Sequence, residues 1–209
     1  EPGWFRDGRV SLRLSSGEVR RYSFGRAGDV PVVGDWDGNG VDSVGVYRAG
    51  RWFLRNAHSS GQHDRTFVFG GPEQLPVVGS WDGRHLGVGV VAKGGPPQWW
   101  LTNGLGRSRV DLRFSWGSRA TDTALVGDWD GNGVWTPGIS RANGRYLLNA
   151  WQVAPAVPVQ VHTSWDRRVQ GDFDGDGATT LGVVSKVGRF SWRDDLRGGP
   201  ALSATTFTG

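Results

Sequence analysis

One short segment returns four times along the chain. Gly34-Asp-Trp-Asp-Gly-Asn-Gly40 recurs as Gly79-Ser-Trp-Asp-Gly-Arg-His85, Gly127-Asp-Trp-Asp-Gly-Asn-Gly133 and Gly171-Asp-Phe-Asp-Gly-Asp-Gly177, at spacings of 45, 48 and 44 residues. A fixed period of this length means that one supersecondary unit is stacked on copies of itself, because a single unit cannot bury its apolar face alone. Each segment follows an apolar run (Pro31–Val33, Pro76–Val78, Ala124–Val126) and precedes another (Val44–Tyr47, Val88–Val91, Gly182–Val184). An aromatic segment comes next, Arg51-Trp-Phe-Leu54 in the first copy, and Thr66-Phe-Val-Phe-Gly70 closes it. Each repeat therefore reads as four short strands.

The N-terminus joins the same frame. Gly3-Trp-Phe-Arg-Asp-Gly-Arg-Val-Ser-Leu12 aligns with Gly45-Val-Tyr-Arg-Ala-Gly-Arg-Trp-Phe-Leu54, and Arg21-Tyr-Ser-Phe-Gly25 supplies the closing segment. Residues 1–27 are thus a partial unit without its first strand, followed by repeats at about 28–71, 72–118, 119–166 and 167–209. Gly and Pro fill more than a fifth of the 209 positions, which excludes helical bundles and coiled coils. The expected fold is all-β: a single domain, a β-propeller of five blades, four complete and one partial, with a non-propeller β array or a ring completed by another chain as the alternative.

The recurring segments carry the chemistry. With Asp35 as loop position 1, oxygen donors fall at position 3 (Asp37), position 5 (Asn39) and, through the backbone, position 7 (Val41), with Gly40 at the bend. That is the spacing by which a short loop surrounds a hard cation such as calcium. Asp42 follows at position 8. The third loop offers Asp128, Asp130, Asn132 and the carbonyl of Val134, and the fourth Asp172, Asp174, Asp176 and that of Ala178. Position 12 of the first loop is Val46, so the terminal Glu of a helical calcium hand is missing. In the second loop Ser80 and Arg84 replace donors, and that loop is expected to hold no ion. The competing reading is that Asp-Gly and Asn-Gly pairs only build turns. Against it, carboxylates this close repel unless something neutralises them. An acid also stands six residues before loops one, three and four (Asp29, Asp122, Asp166), whereas Gln74 stands before the second. A shared role near the loop would account for that.

Over nearly its whole length the chain resembles the FG-GAP or VCBS family of propeller repeats, which includes the integrin α-subunit propellers. The resemblance implies calcium in each intact loop, a secreted or cell-surface location and a scaffold that contacts another protein or another domain of a longer chain. It departs from the family's Asp-x-Asp-x-Asp-Gly-x-x-Asp pattern at the last acid, where Ser43, Thr136 and Thr180 stand.

Catalytic motifs are lacking. Four His, no His-Glu-x-x-His pair, no nucleophile elbow and no phosphate loop leave no readable triad. Paired carboxylates from Asp111, Asp194 or Asp195 are the remote hydrolase alternative. Trp36, Trp81, Trp129 and Phe173 recur at position 2, as do Trp52 and Trp99 in the third strand, and residues that every unit repeats are expected in the core. Trp135 and Trp151 break the pattern and are the candidates for stacking on a sugar ring or a protein partner. The arginines crowding residues 6–26 align with those of the next repeat, which argues for strand edges and against nucleic acid. No apolar run reaches membrane-spanning length, no leader is expected, and no cysteine can form a disulfide or thiolate site. The expectation is a non-catalytic, calcium-stabilised, extracellular module that binds a glycan. A protein-interaction scaffold, contacting a surface protein or other domains of a longer parent chain, is the alternative.

Overall fold

The computed structural model describes residues 3–14, 16–92, 94–141, 144–148, 157–159, 167–184, 189–192 and 203–206. These residues form strands and turns with no helix, and so none long and apolar enough to cross a membrane. Among the described residues nineteen strands make five antiparallel sheets, and each of these sheets is drawn from one repeat.

The first sheet has three strands, β1 (Gly3–Arg6), β2 (Arg9–Arg13) and β3 (Val19–Ser23). The others have four each, paired in chain order as meanders. They comprise β4 (Val30–Gly34), β5 (Ser43–Arg48), β6 (Arg51–Leu54) and β7 (Arg65–Val68); then β8 (Gln74–Gly79), β9 (Gly87–Ala92), β10 (Gln98–Thr102) and β11 (Leu112–Ser115). The fourth sheet contains β12 (Thr123–Gly127), β13 (Thr136–Arg141), β14 (Gly144–Leu147) and β15 (Val157–Val159), and the fifth β16 (Arg167–Gly171), β17 (Thr180–Val184), β18 (Arg189–Trp192) and β19 (Ser203–Thr206). Short strands with tight turns follow directly from the density of Gly-containing pairs.

The strands form two compact units. One comprises residues 1–79, 85–93 and 98–116, and so the first three sheets; the other comprises 80–84, 94–97 and 117–209. In the first unit, Val32, Trp36, Tyr47, Trp52, Leu54, Phe69, Val88 and Val90 form one buried cluster, and Val10, Tyr22, Phe24, Val44 and Val46 another. In the second, Trp129, Leu147 and Leu181 are buried together. Trp36, Trp81 and Trp129 at loop position 2 and Trp52 and Trp99 in the third strands are all buried, as repetition predicts; Phe173 is only partly buried and meets Phe190 edge-on. The indole N–H of Trp52 donates to Phe69 O and that of Trp99 to Trp116 O, so the same polar contact ties the third strand to the fourth in two sheets. Without it, burying an indole N–H costs on the order of 1–3 kcal/mol.

A glycine in β1, β5, β9 and β13 lets the next strand's leucine pack flat against the sheet, while Gly182 of β17 faces Phe190 instead. A Cβ on Gly89 would lie 2.2 Å from Leu101 Cδ2, and Gly3, Gly45 and Gly138 face Leu12, Leu54 and Leu147 in the same way.

Candidate metal centre

Each acidic loop connects the first strand of a sheet to the second, and its shape is written by its own side chains. In the first loop Asp35 accepts backbone N–H groups from Gly38 (2.8 Å) and Asn39 (3.0 Å) on one oxygen and from Gly40 (2.8 Å) on the other. In the third, Asp128 accepts from Asn132 (3.0 Å) and Gly133 (2.7 Å), and in the fourth Asp172 accepts from Gly175 (2.7 Å) and Gly177 (3.1 Å). The position-5 side chain in turn accepts the position-7 N–H at 2.7 Å in all three, Asn39 from Val41, Asn132 from Val134 and Asp176 from Ala178. Positions 4 and 6 need left-handed backbone, which glycine supplies, with φ of 77° and 82° at Gly38 and Gly40 and 85° and 90° at Gly175 and Gly177.

The turn-building chemistry is therefore real: it engages both oxygens of the position-1 carboxylate in all three loops, but one oxygen each of Asp37, Asp174 and Asp176. Ligand oxygens of Asp172, Asp174 and Asp176 lie within 4.8 Å of one another, all three residues are exposed, and the cluster could hold a metal ion. Three hard oxygen donors converging from one short loop suit calcium or magnesium rather than a soft metal. Limited hydration pushes the Asp174 carboxyl above its ordinary value, with the neighbouring Asp176 charge adding to it. In the first loop the Gly40 N–H, followed by those of Asn39 and Gly38, holds Asp35 below the usual range, whereas desolvation first and the Asp35 charge second raise Asp42. Loops one and three share the same backbone course, with an amide at position 5 in place of a third carboxylate.

No protein-family model matches this chain, and a search of curated proteins finds no match.

The second loop keeps one contact of the frame, Arg84 N–H donating to Asp82 as Asn39 N–H donates to Asp37 and Asp176 N–H to Asp174, but neither Ser80 nor Arg84 offers a carboxylate at position 1 or 5. Trp135 is half-buried beside the third loop, and its backbone N–H donates to Ser80 O at 2.8 Å. Trp151 lies outside the described residues. Of the remote hydrolase carboxylates, Asp111 is tied to Asn103 N–H, the Thr102 hydroxyl and Arg109, and Asp194 and Asp195 also fall outside the described residues.

Two features escaped the sequence reading. Position 8 bonds the preceding loop through its backbone: Trp135 N–H reaches Ser80 O, and Thr179 N–H reaches Asp128 O, while Thr179 Oγ1 accepts Asp128 N–H at 3.0 Å. Sequence spacing gives position 8 of these two loops no role, yet here its main chain bonds the neighbouring loop. The second is the role of Asp29 and Asp122. Asp29 accepts two hydrogen bonds from Arg48 (2.6 and 2.7 Å), and Asp122 accepts two from Arg141 (2.6 and 2.9 Å). Both acids stand at the start of the first strand, roughly 17 Å of extended chain away from the loop at its other end. The role near the loop expected for them is therefore corrected: they clamp the far end of the strand. The third acid, Asp166, lies outside the described residues.

Proposed function

We propose that this chain is a five-bladed β-propeller whose acidic loops bind calcium and which acts, without catalysis, as an extracellular module recognising carbohydrate. The observation that carries the reading is the convergence of Asp172, Asp174 and Asp176 in a loop frame that loops one and three repeat with oxygen donors at the same positions. Five sheets in register with five sequence units, each a meander of three or four strands, support the propeller. Calcium would be held by Asp172, Asp174, Asp176 and the Ala178 carbonyl in the fourth loop, by Asp35, Asp37, Asn39 and the Val41 carbonyl with Asp42 near by in the first, and by Asp128, Asp130, Asn132 and the Val134 carbonyl in the third. It would supply charge neutralisation that lets these carboxylates sit together, and so stiffen the loops. With so few charged ligands and no terminal bidentate acid, affinity is expected on the order of 10⁻⁴ to 10⁻³ M, which suits calcium outside cells.

The half-buried indole of Trp135 supports the carbohydrate reading, since an aromatic face with a polar edge suits stacking on a sugar ring. Thermal melts with 5 mM calcium and with EDTA test the metal: a higher Tm with calcium supports it, and coincident melts refute it. A glycan array in calcium, repeated with Trp135→Ala, tests the ligand; a signal that the substitution abolishes is expected. Silence across the array, together with capture of a surface protein, would favour the interaction scaffold.

A further inference from the structure

Two of the three acidic loops carry an amide where the last carries an acid, and the loop frame surrounds that amide with reactive groups. Position 5 is Asn39 in the first loop, Asn132 in the third and Asp176 in the fourth, and a glycine follows each. A glycine after asparagine leaves its own backbone nitrogen uncrowded, and that nitrogen can attack the asparagine Cγ to close a succinimide ring. The attack needs a group to take the glycine N–H proton, a donor to polarise the amide carbonyl, and water to reopen the ring.

Both loops supply these. The Gly40 N–H donates to Asp35 Oδ2 at 2.8 Å and the Gly133 N–H to Asp128 Oδ2 at 2.7 Å, so a carboxylate already holds the proton that has to leave. The Val41 N–H donates to Asn39 Oδ1 and the Val134 N–H to Asn132 Oδ1, both at 2.7 Å. A donor in that place stabilises the negative charge that develops on the oxygen as the nitrogen adds. It also holds the side chain against the backbone that follows it, which favours attack by the next residue. Asn39, Gly40, Asn132 and Gly133 are exposed, and nothing beyond its chain neighbours lies within 4 Å of where either glycine would carry a Cβ, so water reaches both sites.

Another Asn-Gly pair lacks this arrangement. Asn103 Oδ1 is buried without a hydrogen-bond partner, and no acceptor meets the Gly104 N–H among the described residues. The Arg107 side chain also stands 3.0 Å from where a Gly104 Cβ would lie. Asn103 is therefore an internal control. The remaining pair, Asn143-Gly144, begins outside the described residues.

We propose that Asn39 and Asn132 are sites of spontaneous deamidation promoted by their own loops, which gives the first and third loops the carboxylate set of the fourth. The Gly40 N–H proton passes to Asp35, and the electron pair left on nitrogen forms a bond to Asn39 Cγ. The bond from Cγ to the side-chain nitrogen then breaks, and ammonia leaves with the proton that Asp35 held. Water reopens the ring at Cγ to leave a carboxylate on residue 39; opening at the backbone carbonyl instead leaves isoaspartate. The third loop follows the same course with Gly133, Asp128 and Asn132. Nothing is oxidised or reduced, and water is the co-reactant. The frame accommodates the product, because Asp176 already accepts the Ala178 N–H at 2.7 Å as Asn39 accepts that of Val41. Each event adds one negative charge, so the two together halve the formal net charge of +4. Deamidation itself is independent of the calcium reading; its effect on ion affinity rests on that reading.

The test incubates the 209-residue chain at neutral pH in EDTA, so that metal plays no part, and follows each asparagine by peptide mapping and mass spectrometry, where conversion adds about 1 Da. The same chain held unfolded in guanidinium chloride gives the rate without the loop frame. Conversion at Asn39 and Asn132 is expected to be faster folded than unfolded, and at Asn103 slower. Asp35→Asn is expected to slow conversion at Asn39 at least about tenfold, the least a general base contributes, while Asn132 in the same molecule keeps the parent rate. Conversion at Asn39 and Asn132 no faster than in the unfolded chain, or an Asn39 rate unmoved by Asp35→Asn, would overturn the proposal. Equal conversion at Asn103 in the folded chain would overturn it too, since the loop frame would then make no difference.

Discussion

Replacing Asp122 by Asn should cost stability in a manner fixed by pH. The Asp122 side chain is fully buried at the start of β12, where two hydrogen bonds from Arg141 and the N–H groups of Ser118 and Arg119 converge on it. The Arg141 hydrogen bond first, and then the backbone donors, pull its pKa down from 3.8 to about 2 against the opposing effect of burial. A carboxylate whose folded pKa is depressed contributes stability above its unfolded pKa and loses it as pH falls toward the folded one. A difference of nearly two pKa steps at about 1.4 kcal/mol each corresponds to about 2 kcal/mol at pH 7, falling to about 1 kcal/mol near pH 3 and to less than about 0.5 kcal/mol at pH 2. In a chain of this size about 2 kcal/mol lowers Tm by roughly 4–8 °C. Urea denaturation of the parent and Asp122→Asn proteins across pH 7 to pH 2.5 gives the difference directly. A gap that closes with acid is expected; a gap that stays constant with pH, or none at pH 7, would refute the assignment of a buried ionised clamp.

Other expectations concern packing and the loops. Gly89→Ala places a methyl 2.2 Å from Leu101 Cδ2 and 2.8 Å from Val77 Cγ2 in the core, and should cost about 1–3 kcal/mol by urea titration. Trp52→Phe removes the donor to Phe69 O at a site with no exposed surface, so a loss of about 2 kcal/mol is expected in the same assay. Thr179→Val keeps the backbone bond to Asp128 O but leaves Asp128 N–H without its acceptor; a loss of about 1–2 kcal/mol, with faster hydrogen exchange at Asp128, is the predicted outcome.

What sequence reveals here follows the range of each interaction. The period and the alternation give the strands, because strand pairing within each meander joins chain neighbours, and the loops are legible because positions 1, 3, 5 and 7 interact within seven residues. Burial of Trp52 and Trp99 follows from their recurrence. The Asp29–Arg48 and Asp122–Arg141 clamps were half visible: the acids recur, but their partners stand 19 residues later and are recognisable only once the β4–β5 and β12–β13 registers place them opposite. The bonds from Trp135 to Ser80 and from Thr179 to Asp128 were invisible, because a backbone N–H carries no side-chain signature. Whether Asp37 and Asp174 serve an ion or only a turn depends on the balance between carboxylate repulsion and hydration, and both outcomes are written with the same letters.

Counting calcium ions by native mass spectrometry tests that balance most directly. Three ions per chain are predicted at millimolar calcium, falling to two in the variant Asp172→Asn/Asp174→Asn/Asp176→Asn with the other loops unaffected. A chain that carries no ion, or whose count ignores that triple substitution, would contradict the account.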